Sequence, residues 1–147
     1  MKAIGAGAMA LAGALAFPAR AELDPHSLTD AADRLLPIYN AADAPALHAI
    51  LAPALRDKYT VDALRDALRR CRVLTHDIFR FSTPSYGGRH YGFFAVYAEA
   101  STFEMILEID EDERLLHFVI TDDVTAADQQ CALHASPGGP ERARARP

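Results

Sequence analysis

Past residue 21 the chain has no apolar run approaching the roughly 20 residues that a bilayer-spanning helix needs, so nothing there reads as a membrane anchor. Basic charge is also scarce, with 15 Lys and Arg against 20 Asp and Glu, a net charge of −5 over 147 residues. Nucleic acid is held by a concentrated basic footprint, and the body of the protein does not supply one. Cysteine is reduced to two residues, Cys71 and Cys131, with no C-x-x-C pair between them, which removes the usual dithiol redox motif. The glycine-rich segment SYGGRHYG at 85–92 follows a strand pattern but opens no helix. It therefore lacks the helix N-terminus that gives a phosphate cradle its field, and it reads as a hairpin connection. These absences leave no expected cofactor, no resident metal and no nucleic-acid partner.

What is present begins with an export signal. Lys2 is followed by IGAGAMALAGALAF at 4–17 and by PARA at 18–21, a short apolar stretch ending in an A-x-A cleavage pattern. We expect residues 1–21 to be a secretory signal peptide, 22–131 a single domain, and 132–147 a disordered arginine-rich tail. The mature protein is then periplasmic or extracellular, with no stable membrane anchor after cleavage. Losing Lys2 and Arg20 takes the net charge from −5 to −7, and setting aside the three Arg and one Glu of 141–147 leaves −9 on residues 22–140. In an oxidising compartment an even cysteine count favours pairing, so a Cys71–Cys131 disulfide is expected.

The mature chain divides into a helical half and a strand half. Ser27 or Thr29 can cap a first helix reaching about Asn40, which Pro37 kinks or shortens. Asp43 and Pro45 start a second, with Leu47, Ile50 and Leu51 as its stripe and Pro53 as its end. Thr60 caps a third, in which Val61, Leu64, Leu68 and Cys71 share the inner face. After Arg72 the apolar period changes to two, predicting strands at 75–82, 89–98, 102–110 and 114–121. Links this short impose antiparallel pairing. A hairpin loop at Ala100 and Ser101 would put Phe94, Val96 and Ala98 on one face with Phe103, Met105, Leu107 and Ile109. The opposite face would carry Tyr91, Phe93, Tyr97, Thr102, Glu104, Ile106 and Glu108.

The run Asp110, Glu111, Asp112 and Glu113 invites a metal reading, but calcium loops place their ligands at alternating positions around a central glycine. Four consecutive acids before Arg114 read instead as a hairpin tip. His76 and Asp77 are adjacent on a predicted strand and so point to opposite faces, which rules out a working dyad. The side on which His117 lies depends on that tip. A three-residue turn pairs Ile109 with Leu115 and sends His117 to the core, whereas a four-residue turn pairs Ile109 with Arg114 and sends Phe118 and Ile120 there. The second buries more apolar surface and is the expected register.

Three segments carry a family resemblance: YNAADAPALHAILAPAL (39–55), TVDALRDAL (60–68) and IDEDERLLHF (109–118). Together they resemble the nuclear transport factor two-like superfamily, which includes SnoaL-like proteins and ketosteroid isomerases. The departure is Glu113, which stands where that family often has glycine. The resemblance implies an α+β fold, three N-terminal helices packed on a curved four-stranded antiparallel sheet, cone-shaped and cystatin-like. It also implies a pocket between helices and sheet, which His76, Arg80 and His90 are the polar strand residues placed to reach as ligand-binding groups. No catalytic Asp and Tyr pair of the family can be matched here. The expected function is a noncatalytic exported domain that binds a small apolar ligand or a protein partner. The alternative is an isomerase- or dehydratase-like enzyme with His90 or His76 as general base. A homodimer would use the outer sheet face through Tyr91, Phe93, Tyr97 and Ile106.

Overall fold

The computed structural model describes residues 26–126 and 128–134. The expected signal peptide at 1–21, and all of the expected tail at 132–147 beyond residue 134, lie outside the described residues.

Among the described residues the helical half holds four helices rather than three: α1 (Ser27–Asn40), α2 (Ala44–Ile50), α3 (Pro53–Lys58) and α4 (Val61–Thr75). Two caps form as expected, with Asp43 Oδ1 accepting from the Ala46 amide at 3.0 Å and Thr60 Oγ1 from the Ala63 amide at 3.2 Å. The extra helix comes from Pro53, which starts α3 at its first position instead of merely ending α2, because proline has no amide hydrogen to lose there. At α1 the cap position is His26 and makes no side-chain capping bond, while Ser27 lies inside the helix and is buried. Pro37 is carried within α1, which continues to Asn40.

The strands of the described residues belong to one antiparallel sheet of six, not four: β1 (Ile78–Phe81), β2 (Ser85–Tyr86), β3 (Tyr91–Ala98), β4 (Thr102–Ile109), β5 (Leu115–Thr121) and β6 (Cys131–His134). Their order is β1-β3-β4-β5-β6, with β2 also pairing with β3. The protein is thus α+β. β6 carries the ordered sheet to His134, past the boundary expected at 131. The β3–β4 loop is Glu99 and Ala100, since Tyr97 pairs with Thr102 and the Ala98 amide donates to Ser101 O at 3.0 Å. That moves the expected register by two residues and so leaves every side chain on its predicted face. The loop settles there because the Glu99 and Ala100 amides donate to Asp77 O and Thr75 O, at 2.8 and 3.1 Å, beside the end of α4.

The space between helices and sheet is filled. Leu35, Tyr39, Leu47, Leu64, Val96, Met105, Leu107 and Ile120 are each 0 % exposed and belong to a single apolar cluster. The buried Tyr39 hydroxyl shares a 2.7 Å hydrogen bond with Thr75 Oγ1, and burial pushes its pKa up to about 12. Cys71 on α4 and Cys131 on β6 form the expected disulfide, stapling the last strand to the last helix. The side chain of Asn40 holds the other end of the sheet: its Nδ2 donates to Ile78 O at 2.8 Å and its Oδ1 accepts from the Ile78 amide at 2.9 Å. One amide side chain thus does what a neighbouring strand would do for the first residue of β1.

The acidic tip adopts a conformation that combines features of both expected turns. Glu113 has φ of 58°, the left-handed region, and Ile109 pairs with Leu115, as in the shorter turn. Yet Glu108 pairs with His117, so Leu116 is an extra, unpaired residue, and the resulting bulge reverses the alternation. Phe118 and Ile120 therefore face the core and His117 faces outward, as the longer turn was expected to require. Glutamate is disfavoured in the left-handed region, and Glu113 keeps that position because α1 holds it there. Ser27 Oγ donates to Glu113 Oε1 at 2.5 Å, and Arg34 Nη2 donates to Glu113 O at 2.8 Å. Asp110 Oδ1 meanwhile accepts from the Asp112 and Arg114 amides, both at 2.9 Å, so the tip is closed by its own carboxylate. Glu113→Ala should cost about 1.5–3 kcal/mol, the scale for a hydrogen bond to a charged group whose buried partner is left unsatisfied. Glu113→Gly should cost about 1 kcal/mol less, because it also relieves the left-handed backbone. Urea unfolding of the two variants would measure that difference, and equal losses would refute the strain.

Candidate functional site

The strand registers lay out the outer face of the sheet as rows. One row runs Tyr91, Glu108, His117, His134 across β3, β4, β5 and β6. The next runs Phe93, Ile106, Val119, Ala132, wholly apolar, and a third Ala95, Glu104, Thr121. At the β1 side Arg80 pairs with Tyr97, its guanidinium 3.7 Å from the ring centroid. A bulge between Ile78 and Arg80 leaves Phe79 exposed next to it.

Aromatic surface is concentrated at the β1–β2–β3 side. Phe79 is 68 % exposed, Tyr86 58 %, Phe93 45 % and Tyr91 39 %, and the Tyr91 and Phe93 rings meet edge to face at 6.0 Å. The glycine turn makes room for this. Gly87 and Gly88 donate their amides to Tyr91 O, both at 3.2 Å, and a Cβ on Gly88 would lie 2.9 Å from the Tyr91 ring. SYGGRHYG therefore serves as a hairpin whose glycines let an aromatic ring lie against the loop.

At the β5–β6 side the face is more covered and turns polar. His117 and His134 are cross-strand partners with rings stacked at 5.4 Å and 28°. Burial and the neighbouring His134 lower the His117 pKa to about 4. His134 is also lowered, by burial and by the Lys58 ammonium, whose Nζ donates to His134 O at 2.8 Å. His134 Nδ1 is buried without a hydrogen-bond partner among the described residues.

The residues expected to line an internal pocket are dispersed. His76 caps the end of α4 rather than sitting on a strand, with φ of 59°, and its side chain is exposed 3.9 Å from Glu99. Arg80 lies on the outer face against Tyr97. His90 is half-buried at the end of the glycine turn, where its carbonyl accepts from the Ile109 amide at 2.8 Å. His76 does border an open groove of about 640 Å³ with Ala42, Arg65, Arg69, Arg72 and Val73. The three arginines there are already engaged by Asp62, Asp66 and Asp77 respectively.

No family model, curated protein or solved structure matches this chain. Its function therefore has to be argued from the outer face itself. Sequence reasoning selected Tyr91, Phe93, Tyr97 and Ile106 for that face and turned His117 outward, but missed Phe79 and the pairing of His117 with His134. Phe79 is turned outward by a bulge. The histidine pair depends on a strand, β6, that follows a long loop and has only four residues.

Proposed function

We propose that this protein is a noncatalytic, exported association domain, a small cone-shaped member of the nuclear transport factor two-like superfamily, which pairs with a second copy of itself through the outer sheet face. The observation that carries this reading is the set of exposed aromatics on that face, Phe79, Tyr91 and Phe93, beside the apolar row begun by Phe93 and Ile106. Contiguous apolar patches rimmed by polar residues mark interaction sites. A second copy is the favoured occupant because a twofold pairing covers both patches with one set of contacts. The face also carries both signs, Arg80 on β1 and Glu104 and Glu108 on β4, so one copy's cation can meet the other's acids.

Binding of a small apolar ligand between helices and sheet loses support from the packed interior, and so does a histidine general base in such a pocket. Equilibrium sedimentation of the mature chain tests the proposal. We expect a dimer that Phe93→Glu converts to monomer while far-ultraviolet dichroism stays unchanged, since Phe93 is 45 % exposed and contributes little to the core. A wild-type chain that stays monomeric at high concentration would refute the pairing, as would a dimer unaffected by Phe93→Glu.

A further inference from the structure

We infer that His117 and His134 form a surface site for one nitrogen-preferring divalent transition metal, of the zinc or copper class, with Glu108 as the adjacent carboxylate. Directly opposed residues on paired strands have Cβ atoms about 4.5–5.5 Å apart. That span lets two imidazoles place one nitrogen each about 2.0–2.1 Å from a shared ion. The observed rings already lie side by side at 5.4 Å, so ring rotation about the side-chain bonds is the motion required. Two features point to a ligand rather than to simple packing. His134 Nδ1 is buried and has no hydrogen-bond partner among the described residues, although buried polar atoms are as a rule hydrogen-bonded. Glu108 is the cross-strand partner of His117 on the opposite side from His134, so a carboxylate and two imidazoles occupy consecutive positions of one row.

Imidazole suits zinc, copper and nickel, whereas magnesium and calcium prefer all-oxygen sets, so those hard ions should not compete. Among the described residues no three His, Cys, Asp or Glu side chains are already gathered for a metal. Water would thus complete the coordination, and the site is expected to be an exchangeable one of micromolar affinity rather than a structural centre.

The test uses the full mature chain, stripped with EDTA and titrated calorimetrically with zinc chloride and, separately, copper sulfate. One ion per chain is expected, with His117→Gln and His134→Gln each weakening binding by about tenfold or more. His48→Gln should leave it unchanged. Because His117→Gln could also perturb folding, the wild-type chain supplies a second readout. Zinc should shift the ring resonances of His117 and His134 and not those of His76 or His90, and bound copper should show two equatorial nitrogens by electron paramagnetic resonance. Absence of binding at millimolar zinc, or zinc shifts confined to other histidines, would overturn the site.

Discussion

Replacing Cys71 and Cys131 together by alanine is expected to lower the unfolding free energy by about 4 kcal/mol, the chain-entropy value for a bridge closing a loop of this size. The two cysteines are 60 residues apart, and the link encloses β1 through β5. Its loss should matter more than the generic figure suggests for one local reason. β6 has four residues and presents only Cys131 and Leu133 to the core, so without the bridge little apolar area holds it against β5 and α4. Domains of this size are typically stable by about 5–15 kcal/mol, so the double variant should be marginal at physiological temperature. Urea midpoints of the oxidised wild type and the double variant would measure the effect, and a loss below about 1 kcal/mol would contradict it.

Acidification should produce the second large effect, through His117. In the folded chain its pKa is about 4, against 6.5 for the ordinary side chain. Between those values the unfolded chain takes up a proton that the folded one refuses, so unfolding is favoured as pH falls. The contribution is fully present above pH 6.5, is lost progressively below it, and amounts to about 3 kcal/mol at most, from roughly 1.4 kcal/mol per unit. The groups facing His117 are Glu108 from β4 and His134 from β6, the latter bordered in turn by Lys58. Carboxylates elsewhere also respond to acid, but they do so equally in a His117→Asn variant. The decisive quantity is therefore the difference between wild type and variant in stability lost from about pH 7 to about pH 4.5, measured in EDTA. Parallel pH profiles would show that His117 is not held neutral by the fold.

The α+β class, the disulfide, two of the helix caps and the two faces of the central hairpin were legible in the sequence, because each rests on local chemistry. Asp43 and Thr60 cap by contacts three residues away. The faces of β3 and β4 follow from alternation alone and survive a two-residue error in register. What was not legible depends on contacts distant in the chain. Glu113 occupies a left-handed position because Ser27 and Arg34, 86 and 79 residues earlier, hold it there. The bulge at Leu116 then overturns any reading of β5 that assumes unbroken alternation. α3 was hidden because Pro53 serves equally as a stop signal and as a helix start. At the candidate site, the aromatics on β3 were visible from their spacing. The histidine row was not, since it requires the correct partner for each of three strands.

The shape of the sheet's borders also limits how such chains can meet. One border is divided between β1, which is bulged at Phe79, and the two residues of β2, with Pro84 between them. The other is β6, four residues long, with its last carbonyl occupied by the Lys58 ammonium. Among the described residues neither offers an uninterrupted ladder of free amides and carbonyls on which another strand could grow. Fibre-like addition, edge to edge, is thereby discouraged at both margins, and a chain with an exposed aromatic face is steered towards association that closes on itself.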